Sequence, residues 1–355
     1  MDDMLTRDVL ADPVALTRAL VDIESVSGNE AEIADRVQEV LPEWLRTERF
    51  GNTIVARTEL GRPQRVVLAG HLDTVPLHDN WPSTVEGNLM HGCGTSDMKS
   101  GTAIALHLAV TEPEPRHDVT YVFYECEEVD SALNGLKILA DVRPELLTDA
   151  SFAVLLEPTH GLVEAGCQGT LRALVRTSGK RAHSARSWLG DNAIHKAAPV
   201  LQSLQRYRER IVTIDGCEFH EGLNAVRISG GVAGNVIPDE CVVEVNFRFA
   251  PDRSEADAQD HVREVFEGFD VEVVDSAPGA LPGLDEPPAQ DFLAAIGRPP
   301  RAKLGWTDVA RFATLGIPGL NYGPGDPNLA HKQDEHVEID KIVEGAAVVR
   351  RWLSR

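Results

Sequence analysis

The chain has 355 residues, more than one hydrophobic core usually organises, and its 43% hydrophobic and 25% charged content excludes disordered and fibrous classes. The 34 Lys and Arg against 56 Asp and Glu leave a formal charge of −22 with no basic cluster, which excludes nucleic acid and anionic membrane surfaces as partners, and no run approaches the ~20 apolar residues of a membrane span. Five scattered cysteines without a C-x-x-C pair argue against a disulfide scaffold or thiolate zinc site, and the acidic start Met1-Asp2-Asp3-Met4 is unlike a signal peptide, so a cytoplasmic protein is expected.

Asp12-Pro13 predicts a helix start, and Ser27-x-x-Glu30 reads as a capping box for a second helix whose Ile33, Val37, Val40 and Leu41 share one face. Four β-rich runs follow at 53–57, 66–69, 119–124 and 152–156, with a helix near 98–110. Apolar strands interleaved with helices predict an α/β fold whose sheet is covered on both faces. From about Thr170 the pattern becomes alternating strands with polar turns, a helix near 192–208, a strand pair within 225–249 and a helix near 254–266. That order predicts an inserted α+β two-layer unit, with catalytic-domain parts at 1–169 and 281–355 and the insert at 170–280. The Pro/Gly/acid-rich stretch 277–289 reads as the return linker, patterning resumes near Asp291, and an amphipathic helix at 339–353 closes the chain.

Side chains two apart in an extended chain face the same way, so His71 and Asp73, just past the run 66–69, can converge at a strand end. Asp97 lies in Gly94-Thr-Ser-Asp97-Met-Lys99, a Gly-rich turn that opens a helix, where it is either an N-cap or a ligand. The glycine spacing fits neither a dinucleotide fingerprint nor a phosphate loop. Glu127-Glu128 and Glu157 each follow an apolar strand, and His331 follows the turn-rich 322–330. Two imidazoles and several carboxylates suit a borderline cation such as zinc, and a shared carboxylate could hold two ions around a bridging water.

His71-x-Asp73, the Asp97 motif, Glu127-Glu128, Leu156-Glu157-Pro158 and Gly323-Pro-Gly-Asp-x-x-x-Ala-His331 occur in the order found in the co-catalytic dinuclear zinc amidohydrolases. The chain resembles that superfamily of aminoacylases, carboxypeptidases and deacetylases over nearly its whole length. The resemblance implies a zinc-peptidase-like catalytic domain with a mixed sheet and two Zn2+ per chain, with Co2+ as a substitute. His71 and Glu157 would hold one ion, Glu128 and His331 the other, and Asp97 would bridge them. Asp73 would orient His71, and Glu127 would be the general base. The insert resembles the family's lid and dimerisation module, which implies a homodimer with His183 reaching the partner's site. Asn235 and Arg248 lie in segments that match later strands of that module, and Arg248, Arg311 and Asn235 are candidates for substrate binding, the two arginines for substrate carboxylates. Within the superfamily, segments 91–101, 164–170, 305–312 and 323–332 most resemble the actinobacterial desuccinylases, which implies removal of succinate from N-succinyl-LL-2,6-diaminopimelate. The alternatives are deacetylation of acetylornithine, cleavage of a dipeptide or a C-terminal residue, and a non-catalytic binding protein of the same fold. His78, His107, His117, His220, His261 and His336 belong to no motif and read as surface or packed residues.

Overall fold

In a strand, consecutive apolar residues such as Val66-Val67-Leu68-Ala69 can all be buried only when both faces are covered. The computed structural model, which describes residues 5–354, places them in the buried strand Arg65–His71. Met1 to Met4, read above as an acidic start, and Arg355 lie outside the described residues. The chain divides into two compact units: one holds the chain up to Gly166, Pro282–Arg301 and Asp308 onward, and the other holds Cys167–Leu281 with Ala302–Thr307. The short piece Ala302–Thr307 lies outside the expected insert of 170–280. It joins the second unit because Lys303 O accepts the Gln168 N–H at 3.1 Å and Thr307 O accepts the Cys167 thiol at 3.8 Å.

Seven strands of an eight-stranded sheet lie wholly in the first unit, in the order Arg46–Phe50, Thr53–Arg57, Asp118–Tyr124, Arg65–His71, Phe152–Leu155, Gly319–Asn321 and Glu164–Ala165. The four from Asp118–Tyr124 to Gly319–Asn321 run parallel, and antiparallel strands flank them. Alternate side chains enter two cores. Val66 and Leu68 pack with helices Pro13–Val21, Lys99–Thr111 and Ile339–Ser354, whereas Val67 and Ala69 pack with Gly135–Val142 and Phe312. Helix Lys99–Thr111 is pressed so closely on the sheet that a Cβ on Gly101 would stand 2.0 Å from Leu156 O. Parallel strands open all their C-terminal ends on one side, where α/β sheets place their ligands.

The second unit is a four-stranded antiparallel sheet in the order Gly222–Gly230, Glu240–Phe249, Gly169–Ser178 and Asp270–Ala277. Its two central strands, Gly169–Ser178 and Glu240–Phe249, alternate buried and more exposed residues, and helices including Glu255–Val265 cover the buried face. A capping box, Ser254 with Asp257, starts that helix.

Three local expectations are corrected. The capping box at Ser27-x-x-Glu30 does not form: helix Ala31–Val40 has no side-chain cap bond, and both side chains are used elsewhere. The helix expected near 192–208 is two, Ala193–Lys196 and Ala198–Arg206, with Pro199 in the first turn of the second. Helical structure after the return linker begins at Pro287 rather than near Asp291, because proline lacks only an N–H that a first turn leaves unused.

Asp118 ties the sheet's flank together. Its Oδ1 accepts the Thr58 hydroxyl and the Leu60 N–H, and its Oδ2 accepts the Arg62 N–H, all at 2.8 Å. Burial pushes this carboxyl up, but the bonds from Leu60, Thr58 and Arg62 outweigh it and hold the pKa below the ordinary value. Asp118→Asn would set an amide against one of these donors and is expected to cost about 1–3 kcal/mol in urea unfolding at pH 7. Because the folded value is depressed, the stabilisation is full above the ordinary aspartate pKa of about 3.9 and is lost as pH falls through the folded value. The gap between wild type and variant should therefore narrow in acid; a constant gap would assign the loss to packing.

Candidate metal centre

Three of the four parallel strands deliver a polar side chain at or just beyond their C-terminal ends, and the fourth runs into the irregular segment that carries His331. Arg65–His71 leads to His71 and Asp73, Asp118–Tyr124 to Glu127-Glu128, Phe152–Leu155 to Glu157, and Gly319–Asn321 to the turn carrying His331. His71 Nδ1 lies 3.0 Å from the Asp73 carbonyl and 3.4 Å from its carboxylate, so this nitrogen donates and Nε2 is turned toward Asp97 Oδ1 at 3.3 Å. His331 Nε2 lies 2.9 Å from Glu128 Oε1 and 3.5 Å from Asp97 Oδ2. Asp97 thus meets the two imidazoles with different oxygens. It is not an N-cap: helix Lys99–Thr111 has Met98 at its cap and no side-chain cap bond.

Two groups of donor atoms, each within 4.8 Å of one another, result: His71, Asp97 and Glu157, and Asp97, Glu128 and His331. Nitrogen and oxygen donors in this number suit borderline divalent ions, and the shared carboxylate would bring two of them close. The donor sets therefore fit a two-metal centre. Glu127 lies beside them, in a third group with His71 and Glu128.

The electrostatics follow from crowding carboxylates out of water. Glu127 is pushed well above the ordinary carboxyl value by burial first, then by the charges of Asp308, Glu157 and Glu128. Asp73 resists the same burial, because its contact with His71 and bonds from Glu127 N and Ser27 bring its pKa down to about 2. Asp97 is likewise held below its ordinary value, against burial, by His331 and His71. Bonds to Asp97 and Glu128 raise His331 to about 10, and Asp73 and Asp97 raise His71 despite its burial. Protons and metal ions compete for the same imidazoles, so metal uptake expels protons.

Several supporting residues carried no legible signal. Ser27 Oγ donates to Asp73 Oδ2 at 2.7 Å, and Glu30 Oε1 accepts the Cys126 N–H at 3.1 Å, just before Glu127; the pair resembles a helix cap in sequence. Asp308 is fully buried, accepts the Asn134 amide at 2.7 Å and pairs with Arg311. Glu335, only four residues after His331, is buried and holds the loop of Asp97.

The other candidates belong to none of these donor groups. Arg311 is in the first unit, bound to Asp308 and to Ser131 Oγ at 3.2 Å. His183 and Asn235 are neighbours in the second unit, where Asn235 O accepts the Ser184 N–H at 2.9 Å. Arg248, in strand Glu240–Phe249 of that unit, is half-buried and has no carboxylate partner among the described residues.

Peptidase family M20/M25/M40 matches residues 67–355. A Mycobacterium tuberculosis protein named DapE is 57% identical over 351 residues, 98% of this chain and 99% of that one. The succinyl-diaminopimelate desuccinylase of Corynebacterium glutamicum is 49% identical over 360 residues, 98% of this chain and 97% of that enzyme. Among solved structures, a dinuclear metal-binding peptidase of the M20 family from Bacillus subtilis is similar with a TM-score of 0.72 and 16% identity, over 98% of each chain.

Equilibrium dialysis should find two divalent ions per chain. Asp97→Ala removes the carboxylate that both donor sets use and should weaken both ions, whereas His331→Ala should leave one bound at near wild-type affinity. Equal losses from the two substitutions would show that Asp97 is not the shared ligand.

Proposed function

The chain belongs to peptidase family M20/M25/M40, and we propose that it is the metal-dependent hydrolase that removes succinate from N-succinyl-LL-2,6-diaminopimelate in diaminopimelate and lysine synthesis. The observation that carries this reading is a pair of donor sets meeting on Asp97 with Glu127 beside them, in a chain nearly half identical to a desuccinylase along its whole length.

His71 and Glu157 would hold one ion and Glu128 and His331 the other, with Asp97 shared between the two donor sets. Zinc is the proposed metal, with cobalt as a substitute. When bound, such ions polarise the amide carbonyl and lower the pKa of water toward ~7. Glu127 takes a proton from the attacking water and returns it to the amide nitrogen as the C–N bond breaks, giving succinate and the free amine. Its raised proton affinity suits a group that must accept a proton near neutrality. Asp73 keeps the proton of His71 on Nδ1, which leaves Nε2 as the ligand.

The second unit acts as lid and dimerisation module. Its edge strand Gly222–Gly230 exposes Val226 and Ile228, and Trp188 nearby in sequence to His183 is 76% exposed, which supports an apolar contact with a second copy. His183 Nδ1 accepts the Ala185 N–H at 3.0 Å, so the neutral ring carries its proton on Nε2 as a donor. In a homodimer that donor stabilises the oxyanion in the partner's site. Arg248, Arg311 and Asn235 bind the substrate's polar groups, and Arg248, without a carboxylate partner among the described residues, is the best suited to a substrate carboxylate. All five cysteines are free and buried, which supports a reducing cytoplasmic location, and no described helix is long and apolar enough to cross a membrane.

Glu127→Gln should keep its metals and lose about 10²–10⁴ in kcat, whereas Glu128→Gln should lose metal. Mixing Glu127→Gln chains with His183→Ala chains should recover part of the activity if each site is built from two chains. A mixture as inactive as its parts would reject the role of His183 in trans.

Substrate choice is tested by assaying N-succinyl-diaminopimelate, acetylornithine and dipeptides side by side. The succinyl substrate should be turned over fastest. Arg248→Lys should lower kcat/KM for it by about tenfold to a hundredfold, the scale of one charged hydrogen bond, with little effect on a neutral-tailed acyl amino acid. Equal losses on both would assign Arg248 to the fold.

A further inference from the structure

The bridging carboxylate must face two imidazoles that arrive from different parts of the chain. His71 ends a central strand and is held by the sheet. His331 has no such support: it lies in an irregular turn, its φ is +63°, and its side chain is half exposed. The loop of Asp97 is irregular as well, so the spacing between Asp97 and His331 needs another constraint.

Glu335 supplies one. Its Oε1 accepts the N–H groups of Ser96 at 2.8 Å and Asp97 at 3.0 Å, and its Oε2 accepts that of Gly94 at 3.1 Å. Its backbone oxygen accepts the Gly92 N–H at 3.1 Å. Ser96 returns the connection: its hydroxyl donates to His336 O at 2.7 Å and accepts the Asp326 N–H at 3.2 Å. The turn is fastened to the Asp97 loop on both sides of His331. Contact is close enough that a Cβ on Gly325 would lie 2.2 Å from Ser96 O. Three donors aimed at one side chain call for a group that only accepts, which is a carboxylate and not an amide. Glu335 belongs to none of the donor groups that could hold a metal among the described residues.

We propose that Glu335 is a positioning residue that locks the bridging Asp97 to the turn of His331 and so sets the affinity of the second ion, the one held by Asp97, Glu128 and His331. The inference rests on the dinuclear reading given above. His71 ends a strand of the sheet and Glu157 follows closely on another, so of the first ion's donors only Asp97 depends on this clamp.

The test is a Co2+ titration of the metal-free protein, followed by calorimetry and by the visible spectrum of bound cobalt. Wild type should take two equivalents. Glu335→Gln keeps the shape but opposes an N–H donor with its own amide; it should bind the first ion nearly as wild type and the second about 10–100-fold more weakly. Excess Co2+ should restore its activity. Glu335→Asp, which keeps the charge but withdraws it by one methylene, should show the same split in milder form. Two ions at wild-type affinity in both variants, even with a lowered melting temperature, would make Glu335 merely structural and overturn the inference. Equal weakening of both ions would also overturn it. A wild-type protein that takes up no Co2+ would sink the dinuclear reading and this inference with it.

Discussion

The Asp73 carboxylate is the interaction on which the centre depends. One oxygen accepts the Glu127 N–H at 3.0 Å, and the other accepts the Glu128 N–H at 3.1 Å and the Ser27 hydroxyl at 2.7 Å. The same residue presents its carbonyl to His71 Nδ1. A single buried acid therefore sets the direction of an imidazole on one strand and the backbone of two carboxylates beyond the next. Burial alone would protonate such a group; four donors keep it ionised, and an ionised acceptor forms the stronger bonds.

Concentrating acids at the ends of parallel strands has costs that the surrounding backbone absorbs. Cys126, immediately before Glu127-Glu128, has a φ of +57°, and His331 has +63°, conformations disfavoured for residues with a Cβ. At Cys126 the strain is offset by its N–H bond to the buried Glu30, and the next two N–H groups go to Asp73. Glu335 serves the Gly94–Asp97 turn in the same manner. Buried acids that face backbone N–H groups thus hold in place the acids that face the centre. Lys99 adds a buried positive charge nearby, its ammonium lowered to about 8 by burial while it donates to Ile23 O at 2.7 Å.

Sequence made the donors legible because ligands must be His, Asp or Glu and because strand ends are marked by the apolar runs before them. His71, Glu127-Glu128 and Glu157 could be placed at strand ends from that pattern, and the α/β class followed from the same runs. Asp97 and His331 were less determined: each sits in irregular turns whose course depends on contacts across more than 200 residues, such as Glu335 with Ser96. The supporting acids were hidden for a different reason. Ser27 and Glu30 have a local explanation as a helix cap, Asp308 lies amid ordinary polar residues, and Glu335 lies in the charged run 331–336, which reads as solvent-facing. Burial of an isolated acid has no periodic signature, because what pays for it is backbone brought from elsewhere.

The two arginines considered for substrate carboxylates separate on the same physical ground. Arg311 is paired with Asp308, and Asp308 in turn raises the proton affinity of Glu127, so the pair acts on Glu127, the proposed general base, as much as on any ligand. Neutralising part of the Asp308 charge moderates that effect. Arg248 is different: it is half-buried, its proton affinity is lowered by burial, and among the described residues no carboxylate repays that loss. In a chain carrying a net charge of −22, a guanidinium left without an acid at a partly desolvated position is unusual, since acids are available almost everywhere. A bound anion would recover the burial energy that the fold leaves unrecovered, and a carboxylate would do so with bidentate geometry. Long-range repulsion of an anionic substrate and short-range capture of it are then compatible, because the first is screened within ~8 Å in physiological salt and the second acts at contact.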